Sequence, residues 1–112
     1  MSKISFEGIG ETAATFACEG AVKEGGTVKL SGSGTVGPCA AGDRFCGVAL
    51  CVKDGYASVQ LDGLVQVDAG DGVTAGWVKL SGDGKGGVQK DETKGNPYLV
   101  VSAQDGRAVV KL

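Results

Sequence analysis

Val48-Ala49-Leu50-Cys51-Val52-Lys53-Asp54-Gly55-Tyr56-Ala57-Ser58-Val59-Gln60-Leu61 places alternating apolar residues on either side of an Asp-Gly pair. Asp-Gly between two such runs signals a hairpin, because a two-residue type I′ turn needs positive φ at both central positions. A two-residue loop also fixes the register. Val52 is then expected to face Ala57, Leu50 to face Val59 and Val48 to face Leu61, and all six are apolar. The opposite side pairs Lys53 with Tyr56, Cys51 with Ser58 and Ala49 with Gln60, as a solvated or partner-facing surface would. A ribbon with one buried side is the prediction.

The same pattern returns 51 residues later, from Leu99 through Asp105-Gly106 to Leu112. There Ala103 is expected to face Ala108, Val101 to face Val110 and Leu99 to face Leu112. Gln104 with Arg107, Ser102 with Val109 and Val100 with Lys111 are expected on the other side. A second match stands at an offset of 50: Val28-Lys29-Leu30-Ser31-Gly32-Ser33-Gly34 against Val78-Lys79-Leu80-Ser81-Gly82-Asp83-Gly84. Two ordered matches point to duplication of one β unit, residues 25–61 and 75–112, with an N-terminal segment 1–24 and a connection 62–74. Two such units would pack together to bury a face that neither buries alone.

In both copies the Val-Lys-Leu-Ser alternation before a Gly-x-Gly turn reads as a half-buried strand, with Val28 and Leu30, or Val78 and Leu80, turned inward. Leu64 to Val67 is a further strand. Gly-Asp-Gly around Asp71 and residues 82–87 read as turns. No helical period stands out. The expected fold is therefore all-β: a single domain, a compact barrel or sandwich of short antiparallel strands. Composition agrees, since 112 residues suit one modest core, and 21 glycines with 42% hydrophobic residues suit many tight turns between short strands.

Eleven basic and 13 acidic residues are scattered without runs, which speaks against a basic nucleic-acid face. The start, Met-Ser-Lys-Ile-Ser-Phe-Glu, lacks an apolar signal core, and no stretch has the apolar length of a membrane span. Synthesis in the cytoplasm without a membrane role is expected. Cys18, Cys39, Cys46 and Cys51 then read as reduced, small buried hydrophobes, because their spacings match no familiar zinc motif and histidine is absent.

Catalytic patterns are not found. Without histidine there is no ready base at neutral pH, and no nucleophile stands beside an activating partner in sequence. Gly82 to Gly87 lacks the Gly-Lys-Ser/Thr ending of a phosphate loop, and Asp68, Asp71 and Asp83 do not follow an EF-hand spacing. No enzyme activity and no cofactor or metal are expected. Candidate contact residues are Ile4, Phe6, Ile9 and Phe16, in a segment that either adds a strand to a partner's edge or closes the barrel as its first strand. The lone Trp77 either anchors an interface or covers a core edge.

Ala14-Thr15-Phe16, the Gly-x-Val-Lys-Leu strand, Ala41-Gly42-Asp43-Arg44-Phe45-Cys46-Gly47-Val48-Ala49, the Asp-Gly hairpin, Gly63-Leu64-Val65-Gln66-Val67 and a second Gly-rich half follow one another in a distinctive order. In this order the chain resembles the small Gly-rich decoration, or head cement, proteins of phage and prophage capsids, and Gly42 to Val48 is the most telling part. The resemblance implies a non-enzymatic virion structural protein, often a homotrimer, that sits on the shell of major capsid protein and staples its subunits together. The pattern does not explain the four cysteines. Two other classes remain open: a barrel that holds a peptide or small ligand, which a deep apolar pocket would favour, and a thiol enzyme, which would need a depressed thiol pKa beside a base.

Overall fold

The computed structural model describes residues 10–112, and ten strands run through them with no helix. Both Asp-Gly hairpins form. Asp54 and Gly55 have φ of 53° and 80°, and Asp105 and Gly106 have 54° and 75°, the left-handed pair that a type I′ turn demands. Around them the chain divides into two five-stranded sheets. The first comprises β1 (Thr12–Cys18), β2 (Thr27–Gly32), β3 (Thr35–Pro38), β4 (Gly47–Lys53) and β5 (Tyr56–Asp62), closed into a barrel in the order β1-β3-β2-β4-β5. The second comprises β6 (Leu64–Asp68), β7 (Gly76–Gly82), β8 (Val88–Lys90), β9 (Asn96–Gln104) and β10 (Arg107–Lys111), in the order β6-β10-β9-β7-β8. The radius of gyration, 13.1 Å, is that of a folded domain of this length.

The two sheets share a pairing scheme. In each, the hairpin (β4-β5 or β9-β10) is flanked on one side by the Val-Lys-Leu strand (β2 or β7) and on the other by a preceding strand (β1 or β6). The registers correspond as well. Val28 opposite Gly47 matches Val78 opposite Tyr98, at offsets of 50 and 51. Phe16 opposite Ala57 matches Val67 opposite Ala108, both at 51. β1 and β6 thus occupy equivalent places, although the sequence matches left them in the flanking segment 1–24 and the connection 62–74. β1 closes the barrel through a parallel pairing of Ala17 and Cys18 with Thr35 and Val36. In the second sheet the only such link among the described residues is the single parallel bridge between Ala69 and Val88.

The hairpin registers differ from expectation in both halves, and in the same way. Val52–Ala57 and Ala103–Ala108 pair as predicted, but the first ladder shifts between Ala49 and Cys51 and the second between Val109 and Val110, where the partner strand steps from Ser102 to Val100. Val59 faces Ala49 instead of Leu50, and Val110 faces Val100 instead of Val101. Val48 lies opposite Gln60 and Leu99 opposite Lys111, not opposite Leu61 and Leu112. Leu50 and Val101, 51 residues apart, are the extra residues of two β-bulges. A bulge reverses the in-out alternation beyond it and increases local twist, which helps short strands curl. Ala49 and Val100 are consequently buried at 0% and 1% exposure, while Leu50 reaches 36%.

Val28, Val36, Ala49, Ala57 and Val59 fill the barrel, with Phe16, Val22, Val52 and Leu61 packed against them. Burying one such valine contributes about 1.5–3 kcal/mol of transfer free energy before chain entropy is subtracted. The larger core lies between the inner face of the second sheet and the barrel. There Val65, Val67, Leu80, Val88, Val100, Ala108 and Val110 meet Cys39, Phe45 and Val48. Gln60, expected at a solvated face, is buried in this seam, and its side-chain amide donates to the carbonyls of Asp62 and Leu64 at 3.0 and 3.1 Å.

Candidate binding surfaces

Two strand-level exceptions to the hydrophobic pattern shape the outside of the molecule. Leu30, expected to turn inward, is 59% exposed, whereas its counterpart Leu80 is at 0%. Trp77 is 74% exposed beside Thr74, Lys79, Lys90 and Pro97 on a shallow groove. Leu30 borders an open groove of about 560 Å³ between barrel and sheet, shared with Lys29, Cys46, Leu61, Tyr98 and Leu112. On its wall Phe45 and Tyr98 stack with ring centroids 4.7 Å apart, and the Tyr98 hydroxyl donates to the Phe45 carbonyl at 3.4 Å.

Of the residues singled out from sequence, Ile4, Phe6 and Ile9 lie outside the described residues. Phe16 is half-buried on β1 and packs against the barrel core, so that stretch forms the closing strand. Trp77 stands on the surface, away from any core edge that would cover it. The structure does not bring Phe16 and Trp77 together. Leu30 was missed, and so was Tyr56, 59% exposed next to the first hairpin turn. No local signal distinguished Leu30, since its surrounding Val-Lys-Leu-Ser-Gly is identical to that of Leu80.

Carboxylates organise the loops. Asp43 takes the Lys29 ammonium at 2.7 Å and the Ala40 amide at 2.9 Å, and the Lys29 hydrogen bond, then the amide, hold its pKa below the ordinary value. Asp91 accepts from the Lys94 and Thr93 amides at 2.8 and 3.1 Å and from the Ser81 hydroxyl at 2.8 Å. The Lys94 amide is the main cause of its lowered pKa, followed by Ser81. Asp83 accepts the Lys85 and Gly87 amides at 2.7 and 2.9 Å, which makes it a turn-bracing group. Among the described residues no three His, Cys, Asp or Glu side chains converge as a metal site. A carboxylate whose folded pKa is depressed stabilises the fold above its unfolded pKa, and that stabilisation is lost as pH falls through the folded pKa. Acid titration is therefore expected to destabilise the protein below about pH 4, the ordinary carboxylate range. Asp91→Asn should flatten that dependence in a pH series of thermal midpoints.

The cysteines divide, contrary to the expectation that all are buried. Cys39 is buried and Cys18 half-buried, but Cys46 and Cys51 are exposed, Cys51 opposite Ser58 on the outer side of the hairpin, where the alternation counted from the Asp-Gly turn places it. All four are free thiols. Burial pushes the Cys39 thiol up to about 11, and desolvation also raises that of Cys46, the opposite of what a thiolate nucleophile needs. Titration with a thiol reagent at neutral pH should label Cys51 in the native protein and leave Cys39 unmodified until denaturant is added. Mass mapping of the labelled peptides reads this directly.

No protein-family model matches the chain, and a comparison with the curated proteins finds no match.

Proposed function

We propose that the protein is a structural binding protein, a decoration or cement protein of a phage or prophage head that stabilises the assembled shell and acts as a homo-oligomer. The observation that carries this is the placement of its exposed large apolar side chains. Leu30 and Trp77 project from a β block tied together by a shared core, next to open grooves. An apolar residue held out by a stiff strand loses little entropy on docking, which suits adhesion. The raised Cys39 and Cys46 thiols argue for sticking over reacting, and the order of glycine and β-branched segments from Ala14 to Val67 supports the phage assignment.

The mechanism is mass action. A protein that binds only the assembled shell stabilises it by its binding free energy, and several copies around a symmetry axis multiply weak contacts into avidity. The test is co-sedimentation with assembled shells of the major capsid protein from the same genome. Saturable binding at a fixed stoichiometry with a raised shell melting temperature is expected. Absence of binding to expanded shells would overturn the proposal.

A further inference from the structure

The two halves of the chain bury each other through non-equivalent faces. On the first half the buried face contains Thr27, 2% exposed, whose amide donates to Gly86 O at 3.0 Å and whose hydroxyl donates to Gly87 O at 3.1 Å. It continues through the β3-β4 loop, where Gly42 N donates to Gly82 O at 2.9 Å and Gly82 N to Asp43 O at 2.8 Å. On the second half the buried face is the end of β7, Leu80 to Gly82, with Gly87 at the end of the β7-β8 loop.

Equivalence of the strands turns this into a statement about what is left over. Thr27 corresponds to Trp77, and Leu80 corresponds to Leu30, both at an offset of 50. Two buried residues of the internal contact thus have their counterparts on the outside of the other half: 2% for Thr27 against 74% for Trp77, and 0% for Leu80 against 59% for Leu30. The chain ends with one copy of each face uncovered among the described residues. Contacts of this head-to-tail kind can be repeated by a further copy, closing a ring if the rotation permits.

We infer that the end of β2 around Leu30 on one molecule docks on the Trp77 face of a second copy of this chain, repeating between molecules the contact that joins the two halves within one. Shape supports this occupant. Thr27, a small residue, meets the five-residue loop Asp83–Gly87, whereas Trp77, a large one, would meet the two-residue turn Ser33-Gly34 that replaces it. Bulk removed from the loop is restored in the side chain. Gly82 must lack a side chain, since a Cβ there would stand 2.6 Å from Cys39 Cβ across the internal contact. Gly32, its counterpart, is also glycine, although a Cβ there would meet nothing nearer than Thr35 at 3.9 Å and its φ is not left-handed. A close approach by another chain gives that glycine a reason.

The inference deepens the homo-oligomer part of the proposed function and does not depend on the shell. Its test uses the full chain alone, so a failure here leaves shell binding to be judged separately. Sedimentation velocity over a concentration series should show association beyond the monomer, and emission from the single tryptophan should move to the blue as it forms. Leu30→Lys and Trp77→Lys should each keep the monomer's thermal midpoint and weaken association about thirtyfold, as loss of an interface anchor does. Mixing the two variants discriminates further. Each retains the face the other lacks, so a one-to-one heterodimer and nothing larger is expected. A wild type that stays monomeric with water-exposed emission, association untouched by both substitutions, or no heterodimer on mixing would overturn the inference.

Discussion

Leu80→Ala is expected to lower stability by about 3–4 kcal/mol, while Leu30→Ala in the same pentapeptide changes the dilute monomer by less than about 0.5 kcal/mol. Leu80 is completely enclosed in the core between sheet and barrel, among residues of both halves. Truncation there removes the transfer free energy of the lost carbons and leaves a cavity that two sheets pinned by backbone hydrogen bonds cannot close. Leu30 already faces water and leaves no cavity. In thermal melts the difference should appear as a gap of roughly 15 °C between the two variants, given about 4–8 °C per kcal/mol for a domain near this size. Equal midpoints would mean that the two halves are not packed as described.

Gly47→Val is expected to have an effect at least as large, costing about 3 kcal/mol or more, because overpacking at this place cannot be relieved by a side chain alone. Gly47 opens β4, and a Cβ on it would run into the Gln60 carbonyl oxygen and stand 2.6 Å from Val59 Cγ1. Gln60 cannot retreat, since its amide is bound to the two carbonyls that carry the chain from β5 into β6. Either β4 and β5 separate or the seam opens. Gly55→Ala serves as the control: a Cβ there meets nothing within 4 Å, so only the strain of its φ of 80° is felt, about 1 kcal/mol. Denaturant midpoints that rank Gly55→Ala below Gly47→Val would contradict the close approach.

These contrasts mark what local sequence could reveal. The Asp-Gly turns, the strand class and the inward Ala57, Val59, Ala108 and Val110 were legible, because they follow from turn chemistry and a period of two that begins at the turn. The bulges at Leu50 and Val101 were not. An inserted residue leaves no trace when it is as apolar as its neighbours, and beyond it every expected facing is off by one. Leu30 and Leu80 show the second limit. Their neighbours in sequence are identical, so their opposite burial is decided by which other half lies against the strand. The Thr27-to-Trp77 difference is the visible trace of that asymmetry in the sequence. Cys46 shows the third, since it lies in the loop between β3 and β4, where no strand period separates an outer position from an inner one.

The seam between the halves also brings Gly10, Gly63 and Leu112 to one place. Leu112 N donates to Gly63 O at 2.9 Å, and a Cβ on Gly10 would lie 3.6 Å from Gly63 Cα. Severing the backbone before Gly63 and linking Leu112 to Gly10 would retain every strand pairing among the described residues and exchange the order in which the two sheets are synthesised. Such a circular permutant should fold to the same architecture, which makes the order of the two halves along the polypeptide a matter of ancestry and not of physics.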